Sequence, residues 1–139
     1  MVRNTFLLAF LFVIAFSLNG CTTKQKDPAK KRIAGIVFQE DQFFRLVLFG
    51  MRDAAKKNDV ELLEANSANK PDKEDQLINT YIANNVDAIA IAPLSAKTSI
   101  SALERARQKG ITVVTHNMTL ESDVAAASIE SDQFDIGAS

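Results

Sequence analysis

Ile33-Ala34-Gly35-Ile36-Val37-Phe38 is a short apolar run, too short for a helix and rich in β-branched side chains. Its apolar residues are continuous rather than alternating, as in a strand buried on both faces of a parallel sheet. Two further runs share this character: Val60 to Ala65, and Asp87-Ala88-Ile89-Ala90-Ile91-Ala92, which Pro93 stops. Strand starts at 33, 60 and 88 are 27 and 28 residues apart, the length of a strand–helix–strand unit. The intervening segments carry helical spacing. Phe44, Val47, Leu48, Met51 and Ala55 recur three or four apart, with Arg45, Arg52 and Lys56 opposite. Asp72, after Pro71, is placed to cap a helix whose apolar stripe is Leu77, Ile78, Tyr81 and Ile82. A third helix over Thr98 to Lys109 turns Ile100, Leu103 and Ala106 inward, with Gly110 in the C′ position. Ile111 to Thr115 reads as a fourth strand and Val124 to Ile129 as a weaker fifth. Right-handed crossovers then give an α/β fold, an open doubly wound parallel sheet with helices on both faces. Val124 follows Thr115 by only nine positions, too few for a helical crossover, so the placing of the fifth strand stays open.

Composition narrows the chemistry. The 139 residues are 47% hydrophobic and 24% charged, values of a globular chain rather than a disordered one. Sixteen Lys+Arg against seventeen Asp+Glu leave a net charge of -1. No excess of cations exists to replace the counterions of a phosphate backbone, which argues against nucleic acid as a partner. A single cysteine excludes an internal disulfide framework and a cysteine-rich metal site, and a single histidine leaves little for acid–base chemistry. Neither GxGxxG, nor GxxxxGK followed by Ser or Thr, nor GxSxG occurs, so no nucleotide cofactor and no hydrolase elbow is expected.

Residues 1–20 read as a targeting signal. Arg3 and the terminal amine precede eleven unbroken apolar residues, Phe6 to Phe16. At about 1.5 Å per residue these cannot cross a hydrocarbon core of about 30 Å, but they suit the apolar region of a secretory signal. Leu18-Asn19-Gly20-Cys21 follows and resembles a bacterial lipobox, which implies lipid attachment at Cys21 and a membrane-anchored, exported protein. The plainer reading is an ordinary secreted protein with a chance cysteine. Residues 21–32, with Lys24, Lys26, Pro28, Lys30, Lys31 and Arg32, are expected to form a polar tether. Residues 33–139 form the folded domain. At the far end, Ser131-Asp132-Gln133-Phe134-Asp135-Ile136-Gly137-Ala138-Ser139 looks like the cap and first turn of a further helix, an incomplete ending for a doubly wound domain.

Ligands of open α/β sheets collect outside the carboxyl ends of the strands. Here those positions are Gln39-Glu40-Asp41-Gln42-Phe43-Phe44, Asn66-Ser67, Pro93-Leu94-Ser95, His116-Asn117-Met118 and Ser131-Asp132. Carboxylates and amides suit a polyhydroxylated ligand, since an ionised Asp accepts from adjacent hydroxyls and Asn both donates and accepts. An aromatic face covers the C–H patch of a pyranose and excludes water.

Four segments carry a more specific likeness: Glu40-Asp41-Gln42-Phe43-Phe44 after an apolar strand; Asp87-Ala88-Ile89-Ala90-Ile91-Ala92-Pro93; Ala106-Arg107-Gln108-Lys109-Gly110-Ile111-Thr112-Val113-Val114; and Glu130-Ser131-Asp132. In order and spacing they resemble the N-terminal lobe of the type 1 periplasmic sugar-binding proteins, a Rossmann-like lobe, over about Arg32 to Ser139. That resemblance implies a monosaccharide held between two lobes, of which this chain supplies the first. It also implies docking of the closed form on an ABC permease or chemoreceptor. By analogy Asp41 would bond sugar hydroxyls, Phe43 or Phe44 would stack on the ring, and Asn117 would contact hydroxyls. Met118 stands where several family members carry a basic residue, which leaves the sugar open. Each residue also has a plainer reading. Asp41 caps the first helix, Phe44 packs inward, Asn117 fixes a turn, Asp132 caps a helix, and His116 is a solvated loop residue rather than a catalytic base. Two other functions compete: a sensory module feeding a receptor or kinase, and a small exported α/β enzyme, for which the supply of nucleophile and base is poor.

Overall fold

The computed structural model describes residues 30–130. The signal segment, Cys21, most of the tether and the expected helix start from Ser131 lie outside the described residues. Five strands, β1 (Arg32–Val37), β2 (Glu61–Asn66), β3 (Ala88–Ile91), β4 (Thr112–His116) and β5 (Ala127–Ile129), form one sheet in the order β2-β1-β3-β4-β5. Every adjacent pair is parallel. Helices α1 (Gln42–Lys57), α2 (Pro71–Ala83) and α3 (Thr98–Gln108) provide the first three crossovers. Because the first crossover steps to one side of β1 and the second to the other, the chain changes direction between β1 and β3. That switch point opens a crevice at the carboxyl ends of the strands.

The two faces are covered unequally. Ala34, Ile36, Ile89, Ile91 and Val113 point to one side and pack with Ile78 and Tyr81 of α2 and Ala102, Leu103 and Ala106 of α3 in the main core. The opposite face meets α1 through a smaller cluster of Val37, Phe44 and Ala92, with Phe38 and Leu48 at its border. Gly35 lets α1 approach closely, since a Cβ there would lie 3.0 Å from Met51 Sδ. Ala88, Ala90 and Val114, on this same face, are only half-buried.

Helix ends follow local chemistry, with one correction. Asp41 caps α1, accepting from the Phe44 N–H at 2.8 Å. Asp72 does not cap α2: Pro71 occupies the first helical position and Lys70 the cap position, without a side-chain bond. Proline pre-set for the first turn moves the start one residue earlier, and Asp72 serves instead as a first-turn anion beside the positive helix end. Gly110 follows α3 with φ +78, as its C′ position requires.

The β4–β5 connection contains no helix. Residues 117–126 run as an irregular loop whose Leu120 and Val124 are buried in the main core, standing in for a crossover helix. The Ala126 N–H donates to the Val113 carbonyl at 2.8 Å, and the Asn117 N–H to the Ile129 carbonyl at 3.0 Å. The tether also ends earlier than read, because Arg32 already belongs to β1 and its N–H donates to Asp87 Oδ2 at 2.9 Å. Lys30 and Lys31 are held as well, at 2.8 Å from Asp59 and 3.1 Å from Asp87.

Candidate functional site

The carboxyl rim gathers the loop after β1, the start of α1 and the ends of β4 and β5. Asp41 lies in the loop after β1, partly exposed. Oδ1 receives the cap bond from Phe44, and Oδ2 accepts from the Gln39 side-chain amide in a short contact. A carboxylate offers about four lone-pair sites. The two protein bonds therefore orient the group and leave acceptors for a hydroxylated molecule.

Helical geometry splits the aromatic pair. Phe44 faces the sheet and is 2% exposed, whereas Phe43, one residue earlier, is 53% exposed. Phe44 has no face for a ligand; its ring fills the small core. Phe43 rests edge-on against Phe44 at 5.1 Å, and Phe44 packs likewise on Phe38 at 4.7 Å and on His116 at 6.3 Å. This stack links the loop after β1, α1 and β4, and supports the free Phe43 face from beneath.

Asn117 follows β4 with an exposed side chain and φ +66. That left-handed backbone is tolerated by Asn better than by most residues. The plain turn role and an available side-chain amide thus coexist. Asp41 and Asn117 lie on the same edge of the sheet, flanking the Phe44–His116 pair.

Two other rim candidates are committed to the fold by their hydrogen bonds. Asn66 Oδ1 accepts from the Ala68 N–H at 2.7 Å, and Ser95 Oγ from the Lys97 and Thr98 N–H groups at 3.2 Å. Ser67 is fully buried. Glu74, which the sequence reading did not single out, is 4% exposed and accepts from the Leu94 N–H at 2.9 Å and from Ser99 Oγ at 2.5 Å, fixing the loop after β3. Asp132 lies outside the described residues.

His116 is a correction. It is not a solvated loop residue but the last residue of β4, 8% exposed. Neither ring nitrogen has a hydrogen-bond partner among the described residues. Burial pushes its pKa below the ordinary histidine value; the Ile36 carbonyl opposes this, favouring the charged ring without a hydrogen bond of normal geometry. The alternation of β4 was the available signal: Val113 and Thr115 face one side, so Val114 and His116 face the other.

A cavity of 480 Å³ opens on this side of the sheet, with Phe43, Val47, His116, Asn117, Ile129 and Glu130 in its lining and Asp41 outside it. A larger hollow of 610 Å³ lies on the opposite, amino edge, among Lys31, Asp87, Lys109 and Thr112. Lys31 and Asp87 pair with each other there, and it is remote from the switch point. The rim is the better site.

The chain resembles known proteins in sequence and in fold. The family model described as periplasmic binding protein domain matches residues 36–139. An ABC transporter periplasmic-binding protein, YphF of Escherichia coli (strain K12), is 30% identical over 118 residues, covering 83% of this chain and 34% of its own length. A xylitol-binding protein of Mycolicibacterium smegmatis is 29% identical over 108 residues, covering 78% of this chain and 31% of its own. The chain thus spans about a third of the length of these curated relatives. Among solved structures, an ABC transporter solute-binding protein from Bacillus halodurans C-125 with bound myo-inositol superposes with a TM-score of 0.69. It is 24% identical, with 78% of this chain and 38% of that one covered.

Proposed function

The chain belongs to the periplasmic binding protein domain family, and we propose from that premise that it is one lobe of an extracytoplasmic solute-binding component of an ABC importer. Its ligand is a neutral sugar or polyol, bound without covalent chemistry and not turned over. The observation that carries the reading is that an oriented carboxylate, a supported aromatic face and an exposed amide all stand along one rim of the parallel sheet. Asp41 and Asn117 hydrogen-bond ligand hydroxyls, and Phe43 covers the apolar face of the ring. The second lobe, which the relatives' greater length accommodates, closes over the ligand by a hinge, and the closed form docks on the permease. A relative that binds xylitol and a neighbour that holds myo-inositol support a hydroxylated ligand as the class.

Export and lipidation at Cys21 are part of the same proposal, resting on Leu18-Asn19-Gly20-Cys21. Labelled fatty acid is expected on the protein in cells and absent from a Cys21→Ala variant; equal labelling of both would remove the anchor. Titration calorimetry with myo-inositol, xylitol, D-ribose, D-glucose and D-galactose tests the ligand class. Saturable heat with at least one polyol or sugar is expected, with weaker binding by this lobe than by a two-lobed protein. Heat from none, in either, would refute the reading.

A further inference from the structure

We infer that the amino edge of the sheet, opposite the ligand rim, is the face this protein lays on a membrane, its cations against anionic phospholipid headgroups. The inference rests on the anchor proposed at Cys21 and owes nothing to the ligand role of the rim. The chain enters the fold at this edge, where Arg32 begins β1, and all three helices end there. Its acids are already matched: Asp59 with Lys30 at 2.8 Å, Asp87 with Lys31 at 3.1 Å and Glu61 with Arg32 at 3.3 Å. Further cations are left over. Lys56 and Lys57 close α1, Arg107 lies in the last turn of α3 and Lys109 caps it. All four are exposed, and their side chains make no ion pair or hydrogen bond among the described residues. Asp53 and Glu104 lie a turn further from the edge.

These cations share one face. Lys31 and Lys109 line the same 610 Å³ hollow, and Lys30 reaches Asp59, two residues past Lys57. Helix ends favour cations, yet α2 closes on this edge with none in its last turn, so the fold does not require them. Lys24 and Lys26 stand between Cys21 and the edge. With the four unpaired cations they make six, inside the range of about four to eight that draws a segment to an anionic bilayer. Arg32 follows Cys21 by eleven positions, a reach of at most about 36–40 Å, so an acylated Cys21 leaves the edge free to settle on the headgroups. The net charge of -1 does not oppose this. Glu40, Asp41, Asp72 and Glu130 sit at the other end of strands four to six residues long, about 13–20 Å away. The screening length at physiological salt is about 8 Å. The lipid therefore meets the basic edge, and the rim stays clear of the bilayer and open to solvent.

The mature chain with Cys21→Ser, which carries no acyl group, is sedimented with vesicles of phosphatidylcholine alone or of equal parts phosphatidylcholine and phosphatidylglycerol. Expected is binding to the anionic vesicles only, weakened steeply by added salt. Each cation close to such a surface is worth about fivefold. The edge variant, Lys56→Gln with Lys57→Gln, Arg107→Gln and Lys109→Gln, is therefore expected to bind about tenfold more weakly or worse. A rim variant, Arg45→Gln with Lys70→Gln and Lys73→Gln, removes exposed cations from the opposite end and is expected to bind as before. Equal sedimentation with the two vesicle types, unchanged binding in the edge variant, or an equal loss in the rim variant would overturn the inference. So would a short RNA that competes on equal terms with the anionic vesicles. The comparison of vesicle types leaves the folded domain unaltered, so the test survives a variant that does not fold. Fatty-acid labelling of the natural protein reads the Cys21 anchor separately, and ligand titration reads the rim.

Discussion

Asp41 has a structural duty and a proposed binding duty, and the two separate by substitution. Its Oδ1 accepts the Phe44 N–H at 2.8 Å, the cap bond of α1. Replacing a capping Asp with Ala costs about 1 kcal/mol, within a range of about 0.5–2. For a domain of this size that lowers the thermal midpoint by about 4–8 °C. Serine caps about as well as Asp, but its short neutral hydroxyl, occupied at the cap, neither reaches a ligand nor supplies a charged acceptor. Losing a charge-assisted bond to a ligand hydroxyl costs about 1.5–3 kcal/mol, or about 10- to 150-fold in affinity at about 1.4 kcal/mol per decade. Asp41→Ala is therefore expected to lose stability and affinity together, whereas Asp41→Ser keeps the midpoint and loses affinity to the same degree. Thermal unfolding followed by circular dichroism and ligand titration on the same samples read both. An Asp41→Ser protein with wild-type affinity would refute the binding role and leave Asp41 a cap.

Glu74 should discriminate between its two neutral replacements. Gln can still accept from the Leu94 N–H with its carbonyl and donate to Ser99 Oγ, so Glu74→Gln should cost only about 1 kcal/mol. Glu74→Ala strands both partners and should cost about 2–4 kcal/mol in urea unfolding. Gly110 sits at φ +78, so Gly110→Ala should lose about 1–2 kcal/mol although a Cβ there meets open space. His116 makes stability depend on pH. Burial lowers its pKa in the native state, so on acidification the unfolded chain takes up the proton first. Stability is then full above the unfolded value of about 6.5, falls as pH drops through it, and levels off below the native pKa. Each unit of separation is worth about 1.4 kcal/mol. Urea midpoints between pH 8 and pH 5 should fall less in His116→Phe; parallel curves would mean that His116 titrates normally.

The sheet was legible because fully buried parallel strands leave continuous apolar runs, and Ile33 to Phe38 and Asp87 to Ala92 have no other comfortable reading. Helix interiors were legible from spacing. Their ends were less so, because Pro71 and Asp72 compete to start α2 and sequence alone does not weigh a pre-set φ against a cap. The joining of β5 was not legible. A loop that buries Leu120 and Val124 is defined by contacts with α3 and the sheet, and local pattern records none of these. At the rim, Asp41 and Asn117 stood out as polar groups at strand ends, and helical geometry then separated Phe43 from Phe44. His116 was misread because it is the final residue of its strand, where one more step of alternation decides between solvent and core. Glu74 gave no sign of its burial, since its partners, the Leu94 N–H and the Ser99 hydroxyl, lie 20 and 25 residues away.

The central claim is that a hydroxylated ligand sits at the carboxyl rim. A crystal structure of the protein grown with saturating myo-inositol or xylitol tests it most directly. The account expects the ligand against the Phe43 ring, with hydroxyls bonded to Asp41 and Asn117. A ligand seated instead among Lys31, Asp87 and Lys109 on the amino edge would contradict it.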